Sequence, residues 1–370
     1  MTDPRLAIAA RRLSNQQLTG PPLAGAAAVV RHLGAVQAQE YPVARWSLGL
    51  RAEGLTEAAV DAALADGSVI RTHVMRDTWH LVAREDLRWI VALTRPRIRA
   101  RNEVMHRRLG LDPALLTRTE AILVAALTER GQLTRKELGT VLADHGIEAE
   151  GPRLAYVLMH AELELVVCSG AMAGKQHTYA LVDHRAGRTP TLERDEALAE
   201  LARRYLASHG PATPRDLAWW ASLTAADARR AVDLLGPELV RTEAGGRAYW
   251  EAASSPEPAP PLPRAHLLQG YDEYVISYSE SRDVTDVDGL ARATPWGGPM
   301  FTHALAIDGQ VVGHWRRRLA ATAMTVDLQL ARSLDRGERA ALAEAVERYG
   351  EFVGLPVRVA EPAAEDVATS

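Results

Sequence analysis

Cysteine, lysine and long hydrophobic runs are scarce in this sequence. Among its 370 residues there is one cysteine, Cys168, which excludes an internal disulfide and a zinc site built on cysteines. No apolar run approaches the ~20 residues that a helix needs to cross a bilayer, and the N-terminal stretch has no signal-peptide core. These absences predict a reduced, cytoplasmic protein with no membrane partner.

The common signatures of nucleotide and metal sites are also missing. The sequence contains no phosphate-binding loop, dinucleotide fingerprint or nucleophile elbow. His73 and His80 are expected to face each other across a hairpin, with no third ligand near in sequence. Asp272 and Glu273 are adjacent, so in a strand they would point to opposite faces and at most one would enter a site. We therefore predict no metal and no cofactor.

Positive charge is nearly all arginine and is concentrated in two stretches. The formal net charge of −4 argues against a protein that binds nucleic acid over its whole surface. However, residues 95–108 hold six arginines against one glutamate, and residues 316–318 are three consecutive arginines. A polarised molecule of this kind can bind phosphate on one face while its total charge stays negative. The alternative is an ordinary solvated face.

A pattern of helices followed by two strands recurs along the chain. Residues 111–188 are predicted as helix, turn, helix, helix and hairpin, with Thr134 and Glu137 spaced as a capping box. Residues 189–255 repeat the pattern, with helices at about 194–208, 214–221 and 224–235 and strands near 238–242 and 247–251. Residues 1–110 form a looser version, with helices at 4–14, 22–33 and 56–66 and strands at 68–75 and 78–83. We predict three tandem winged helix-turn-helix units.

The remainder of the chain is predicted to be rich in strands. A proline-rich stretch, 253–263, is the expected linker to a C-terminal segment, 264–370. That segment is predicted to contain strands near 302–308, 311–317 and 322–330, a helix at about 335–350 and a last strand at 355–359. The predicted fold class is therefore α+β, mainly α with β-hairpins: three winged units followed by a β-rich α/β segment. Winged units usually bind DNA but also serve as scaffolds, so the fold alone leaves the function open.

Two glutamines one residue apart, Gln37 and Gln39, follow an apolar run in the stretch AVQAQEYPVARW. Side chains two positions apart lie on the same face of an extended chain, whereas on a helix they lie roughly 200° apart. If the stretch is extended, the two amides converge on one small volume and can hold a water molecule or a polar ligand. The alternative is a solvated helix end.

Four stretches carry a resemblance to a known family. VQAQEYPVARWSLGLRA, RTHVMRDTWHLV, LLQGYDEYVISY and the Gly-x-Trp-Arg sequence in VVGHWRRR together resemble the AlkZ-type, or YcaQ-like, winged helix DNA glycosylases. That family has a Gln-x-Gln or Gln-x-Asp signature, and the resemblance covers essentially the whole chain. It implies that Gln37 and Gln39 are catalytic and that the substrate is double-stranded DNA carrying alkylated or crosslinked guanine.

The chemistry that the resemblance implies is hydrolysis of the N-glycosidic bond of N7-alkylated purines, including unhooking of azinomycin-type interstrand crosslinks in self-resistance. A purine alkylated at N7 is cationic, so the leaving base needs no protonation. What remains is to place a water molecule and to stabilise an oxocarbenium-like sugar, which two neutral amides can do. No lysine lies near the motif, and a lyase step through a Schiff base would need one. We therefore expect a monofunctional glycosylase with no obligate protein partner.

A crosslinked base cannot swing into a closed pocket as an ordinary flipped base does. We therefore expect both glutamines to be reachable from solvent across an open, arginine-lined groove without an aromatic box, since Trp46, Trp79, Trp89, Trp219 and Trp220 all have apolar neighbours and are interpreted as core. The candidate phosphate contacts are Arg95, Arg97, Arg99, Arg316, Arg317 and Arg318, with Lys175 and His177 as weaker ones.

Two other classes of protein compete with the enzyme. A winged helix transcriptional regulator without catalysis would need Arg, Asn or Gln on the second helix of each unit, where they can face the DNA groove. Those helices offer Arg135 and Lys136 in the second unit and mostly apolar residues in the third, which favours a scaffold role for them. A protein-interaction scaffold would leave Gln37 and Gln39 without a function. Whether Glu40 or Asp272 assists catalysis stays open.

Overall fold

A three-stranded antiparallel sheet organises the first part of the chain. The computed structural model describes residues 3–189, 191–258, 264–298, 302–320 and 322–360. The elements of the first part are α1 (Pro4–Asn15), α2 (Gly25–Leu33), β1 (Val36–Gln37), α3 (Tyr41–Gly49), α4 (Glu57–Asp66), β2 (Val69–Val74), β3 (Thr78–Ala83) and α5 (Leu87–Arg108). The strands lie in the order β1-β3-β2. The predicted helices and hairpin are present, and the sequence did not predict α3, α5 or the pairing of β1.

The register of this sheet corrects one prediction. His73 pairs with Trp79, and His80 pairs with Thr72 on one side and with Gln37 on the other. Because neighbouring residues of a strand point to opposite faces, His73 and His80 lie on opposite faces of the hairpin rather than facing each other. His73 instead contacts Glu162, with 2.5 Å between Nδ1 and Oε2.

The second part has its own core and matches its prediction closely. Its elements are α6 (Pro113–Arg130), β4 (Gln132–Thr134), α7 (Arg135–Asp144), α8 (Gly151–Leu163), β5 (Val167–Ser169), β6 (Thr178–Leu181) and α9 (Val182–Arg185). The capping box between Thr134 and Glu137 is present at the start of α7. Leucines at helical spacing, such as Leu123, Leu127 and Leu138, are fully buried, so the period of the sequence gives the core directly.

The third part ends in a two-stranded hairpin. Its elements are α10 (Arg194–His209), α11 (Pro214–Trp220), α12 (Ala225–Leu235), a 3-10 turn (Gly236–Glu238), β7 (Leu239–Ala244) and β8 (Arg247–Ala252). Thr213 caps α11 and forms the expected capping box with Asp216. Gly245 and Gly246 form the hairpin turn at positive φ, 56° and 74°, a conformation that strongly favours glycine.

A five-stranded sheet and a long helix form the C-terminal segment. Its elements are β9 (Ala265–Leu268), α13 (Glu273–Ile276), 3-10 turns at Arg282–Thr285 and Leu290–Arg292, β10 (Ala304–Ile307), β11 (Gln310–Leu319), β12 (Met324–Leu330), α14 (Arg336–Val353) and β13 (Val357–Val359). The strand order is β13-β12-β11-β10-β9. Asp272 caps the short helix α13 and Glu273 is its first residue, so the strand geometry considered for these two adjacent carboxylates does not apply. Part of the predicted linker, 259–263, lies outside the described residues.

The hydrophobic cores join parts that are distant in sequence. Trp46 of the first part packs with Tyr349 and Phe352 of α14 and donates its indole N–H to Leu267 O at 2.7 Å. A second core combines Ile70 and other residues of β2, β3 and α5 with α10 and α11 of the third part. In the described ranges, no helix is both long and apolar enough to cross a membrane. The number of winged units and the domain limits at 110, 188 and 255 stay predictions.

Candidate active site

The backbone of Gln37 and Ala38, at the end of β1, is fixed by contacts from three directions. The Gln37 N–H donates to Glu273 Oε1 at 2.8 Å, and the Ala38 N–H donates to Trp79 O at 2.7 Å. The Ala38 carbonyl accepts two hydrogen bonds from the Arg71 guanidinium, both at 3.1 Å. A charged donor and a charged acceptor therefore fix the backbone between the two glutamines. The strand ends at Gln37 and Gln39 lies in the turn that follows, so the extended conformation expected for the whole stretch is present only in its first part.

The two glutamine side chains have different surroundings. Gln37 Oε1 accepts from Arg76 Nη2 at 2.6 Å, and Gln39 Oε1 accepts from the Trp79 N–H at 3.4 Å. Because a guanidinium and a peptide N–H can only donate, these contacts identify the oxygen of each amide. Gln39 is exposed at the turn after β1, as expected, whereas Gln37 is only 4% exposed. The expectation that solvent reaches both glutamines is therefore correct for Gln39 and wrong for Gln37, which is almost completely buried.

A buried carboxylate lies behind Gln37. Glu273 is fully buried, and its Oε2 accepts from Trp220 Nε1 at 2.9 Å and from Ser277 Oγ at 2.5 Å. His209 Nε2 lies 3.5 Å from the same oxygen. Burial alone would raise the pKa of Glu273, but the His209 imidazole, the charge of Arg76 and the hydrogen bond from Ser277 together lower it to about 2. Glu273 is therefore a carboxylate at neutral pH.

Arg76 closes a ring of contacts around Gln37. Its Nη1 donates to the Trp220 carbonyl at 2.8 Å, while its Nη2 donates to Gln37 Oε1. Burial lowers the pKa of Arg76, and the Glu273 carboxylate opposes that change. Because an arginine keeps its proton in proteins, Arg76 and Glu273 bring opposite charges to the two ends of the Gln37 residue.

His80 lies directly across the strand pair from Gln37. Its Nδ1 is 2.9 Å from the Thr78 carbonyl, which can only accept, so Nδ1 carries the proton. Within the described part of the chain, His80 Nε2 is buried and has no hydrogen-bond partner. Burial lowers the pKa of His80 to about 3, so the ring is neutral at physiological pH. No group of three or more His, Cys, Asp or Glu among the described residues is arranged to hold a metal ion.

A cleft of about 870 Å³ opens in front of Gln37, where the first, third and C-terminal parts meet. Its lining combines apolar and cationic residues: Gln37, Arg76, Thr78, Arg97, Ala100, Arg101, Ala218, Trp219, Ser222, Leu223, Val275, Ile276 and Arg282. Trp219 is 38% exposed, and its indole N–H donates to Ile276 O at 3.0 Å. The interpretation of Trp219 as core is therefore wrong, whereas that of Trp220, which is fully buried, is correct.

Comparison with known proteins identifies the family. The family model described as DNA glycosylase AlkZ-like matches residues 30–352. This chain belongs to the AlkZ-like DNA glycosylases. The glycosylase is 28% identical over 324 residues to the interstrand DNA cross-link repair glycosylase of Streptomyces sahachiroi, a match that covers 82% of this chain and 85% of that relative.

A solved structure shares the fold of this glycosylase. Streptomyces sahachiroi DNA glycosylase AlkZ superposes with a TM-score of 0.77, at 24% identity, over 97% of this chain and all of that one. The prediction of a DNA glycosylase acting on DNA is confirmed by the family, and a regulator without catalysis is not supported.

The glycosylase uses the arginines of α5 in two different ways. Arg97 and its neighbour one turn later, Arg101, line the cleft, and Arg101 Nη1 donates to Ser222 Oγ at 3.2 Å. Arg95 and Arg99 instead form ion pairs with Glu164, at 3.3 Å for Arg95. Of the three DNA-contact candidates on this helix, Arg97 is the one that lines the cleft.

The other candidate DNA contacts of the glycosylase are not part of the cleft lining. Arg316 is exposed, with its guanidinium carbon 4.4 Å from the Trp296 ring centroid, and Arg317 donates to Tyr349 Oη at 3.0 Å. Arg318 pairs with Asp327 at 2.6 Å. Lys175 is exposed on the β5–β6 connection. Nearby, His177 packs edge-on against Tyr41, with burial lowering the His177 pKa to about 4.

The two carboxylates whose catalytic role the sequence leaves open, Glu40 and Asp272, lie in different environments. Glu40 is exposed just before α3, and Asp272 is fully buried in an ion pair with Arg51 at 2.8 Å. Sequence reasoning missed Glu273, Arg76 and His80 as neighbours of Gln37. All three lie in stretches that carry the family resemblance, but the contact of Gln37 with Glu273 spans 236 residues, which no local pattern reveals.

Proposed function

We propose that this glycosylase hydrolyses the N-glycosidic bond of N7-alkylated purines in double-stranded DNA. We propose further that it unhooks interstrand crosslinks of the azinomycin type and so gives self-resistance. The observation that carries the proposal is the neutral Gln37 amide in an arginine-lined cleft, beside groups whose protonation does not change near neutral pH. The name of the Streptomyces sahachiroi relative supports the crosslink as a substrate.

In the proposed reaction, Gln37 and Gln39 place the attacking water. Gln37 Oε1 accepts one hydrogen bond from Arg76 and keeps a second lone pair for a water proton. The bond between C1′ and the base nitrogen breaks, its electron pair neutralises the cationic base, and the water oxygen bonds to C1′ while its proton passes to solvent. A weak base is sufficient because the leaving base is already activated.

The shape of the cleft supports a tethered substrate. Among the described lining residues, Trp219 is the one aromatic side chain, so two rings are not available to sandwich a flipped base. Arg97, Arg101 and Arg282 supply positive charge for phosphates at the same cleft. A base still joined to the opposite strand could therefore approach Gln37 without being enclosed.

Alanine variants of the two glutamines test the proposal. Gln37→Ala and Gln39→Ala should each slow release of N7-methylguanine from a duplex about tenfold to a thousandfold, on the order of 1.4–4 kcal/mol. The variants should stay folded and still bind DNA. Gln176→Ala is a matched control, because Gln176 is exposed on the β5–β6 connection and should leave excision unchanged.

A second assay addresses the crosslink. A duplex crosslinked through guanine N7 should yield separated strands on a denaturing gel after incubation with the wild type and not with the double alanine variant. Near-normal excision by that double variant would remove the amides from the mechanism. Release of N7-methylguanine without strand separation would restrict the function to small adducts.

We propose the remaining features on the sequence arguments given above. These are the three winged helix units with limits 1–110, 111–188 and 189–255, the C-terminal segment 264–370, a cytoplasmic location and a monofunctional reaction. The absence of a lysine near Gln37 in the sequence supports the last of these, because a lyase step needs an amine at the reacting carbon.

A further inference from the structure

Glu273 is a buried ionised group that the proposed reaction does not yet use. Its carboxylate has four neighbours: the Gln37 N–H at 2.8 Å, Trp220 Nε1 at 2.9 Å, Ser277 Oγ at 2.5 Å and His209 Nε2 at 3.5 Å. The carboxylate therefore binds the backbone N–H of Gln37, the residue whose side chain lines the cleft.

The charge of Glu273 is costly to bury and is held by donors at both of its oxygens. Taking an ion out of water costs several kcal/mol even after relaxation. Here the donors use both carboxylate oxygens: the Gln37 N–H binds Oε1, and Trp220 and Ser277 bind Oε2, so an amide with its single oxygen would turn its NH2 group toward a donor. Positive charge nearby comes from Arg76, which is partly exposed in the cleft and 2.6 Å from Gln37 Oε1. The negative charge of Glu273 thus lies close enough to Gln37 and Arg76 to affect the electrostatic potential at this end of the cleft.

The contacts around Gln37 form a closed ring. Gln37 donates its N–H to Glu273, Trp220 donates its indole N–H to Glu273, and Arg76 donates to both the Trp220 carbonyl and Gln37 Oε1. The anionic Glu273 therefore holds the backbone N–H of Gln37, and the cationic Arg76 holds its side-chain oxygen. Removing the negative charge would leave Arg76 uncompensated beside the position where a cationic sugar forms.

We propose that Glu273 is a positioning residue whose negative charge orients Gln37 and offsets the charge of Arg76, so that this end of the cleft accepts a cationic transition state. The inference rests on the proposed function, because it assumes that the sugar reacts in front of Gln37. Electrostatic groups arranged before the reaction in a site shielded from water are effective because they need no reorganisation.

The test measures binding of two abasic-site analogues in the same duplex. A pyrrolidine analogue is cationic at neutral pH and mimics the charged sugar, whereas a tetrahydrofuran analogue has a similar shape and is neutral. The wild type should bind the cationic analogue more tightly. Glu273→Gln removes the charge and can keep one acceptor oxygen for the Gln37 N–H, while its NH2 group faces Trp220 Nε1 and Ser277 Oγ. It should reduce this preference about tenfold, with excision of N7-methylguanine slowed about tenfold to a hundredfold.

Arg76→Gln should act in the opposite direction on the same ratio. It leaves the Glu273 charge uncompensated, so preference for the cationic analogue should rise, even though loss of the contact to Gln37 Oε1 slows excision. This variant keeps the inference testable if Glu273→Gln does not fold. Glu280→Gln is the matched control, because it removes a partly exposed carboxylate that pairs with Arg215 and should leave the ratio unchanged.

The outcomes separate the two proposals. A ratio unchanged in Glu273→Gln, or unchanged or lowered in Arg76→Gln, overturns the inference about charge. If the wild type binds both analogues with its expected preference but releases no N7-methylguanine and separates no crosslink, the proposed function fails instead.

Discussion

At the scale of single residues, the surroundings of Gln37 predict how excision depends on pH. The Glu273 carboxyl, with its pKa lowered to about 2, stays ionised above that pH, and His80, with its pKa lowered to about 3, stays neutral. Arg76 stays protonated. We expect the single-turnover rate constant for N7-methylguanine release to change less than about twofold between about pH 5.5 and about pH 8.5. A sigmoidal profile with its midpoint in that window would mean that a titrating base takes part.

Trp219 and Trp220 show how far a residue can be predicted from its neighbours in the sequence. Both follow apolar residues on α11, yet consecutive helical residues point about 100° apart, so one lines the cleft and the other lies in the core. Which of the two faces inward depends on α10 and α13, which the local sequence does not contain. Glu273 and Arg76 escaped prediction for the same reason, since their contacts to Gln37 join distant parts of the chain.

Trp219 also carries a prediction of its own. A partly exposed indole in a cleft that we propose to bind DNA can stack on a base, and such stacking contributes about 1–3 kcal/mol per base. Trp219→Ala should therefore weaken binding to an N7-methylguanine duplex about tenfold or more. Trp219→Phe keeps an aromatic face and loses only the hydrogen bond to Ile276 O, so it should retain most of the affinity. Equal binding by the alanine variant and the wild type would exclude stacking.

At the scale of elements, capping and turn residues were predicted well because their interactions are local. The capping boxes of α7 and α11 and the Gly245-Gly246 turn follow from residues within four positions of each other. Helix α5 was not predicted because residues 95–108 lack the apolar period of a buried helix. Only Ile98 and Asn102 are buried in that half of the helix, and arginines occupy much of the rest. Helix α3 was not predicted because Glu40, the residue before it, makes no side-chain capping hydrogen bond of the kind that marks a helix start.

The two faces of α5 make a direct test of DNA contact. Arg97 and Arg101 line the cleft, whereas Arg95 and Arg99 are held by Glu164 on another face of the same helix. The double variant Arg97→Gln, Arg101→Gln should weaken binding to undamaged duplex and reduce the slope of log K against log salt by about 1.8, since each phosphate contact contributes about 0.9. Arg95→Gln, Arg99→Gln removes the same charge from the same helix and serves as the control. Equal slopes for the two double variants would place DNA elsewhere.

At the scale of the whole molecule, the site depends on buried contacts between parts that are far apart in sequence. Arg51 follows α3 in the first part, and Asp272 precedes Glu273 in the C-terminal segment; both side chains are fully buried and are joined by two hydrogen bonds of 2.8 and 2.9 Å. Arg51 also donates to Gln16 and Ser47, so a single guanidinium links α1, α3 and α13. Asp272 in turn caps α13, whose first residue is Glu273. The position of the carboxylate behind Gln37 is therefore set by an ion pair outside the cleft.

Breaking that ion pair should destabilise the fold and disturb the site together. Asp272→Asn leaves the Arg51 charge buried without its counter-ion, which typically costs about 3–5 kcal/mol, and it weakens the cap that holds Glu273 in place. We expect a lower urea midpoint and slower excision under conditions where the variant is still folded. Asp327→Asn is the matched control, because its partner Arg318 is largely exposed and such pairs contribute about 0–1 kcal/mol. If Asp272→Asn unfolds within about 1 kcal/mol of the wild type, the ion pair stabilises no more than a surface pair does, and the link between the core and the Gln37 site must depend on the apolar contacts alone.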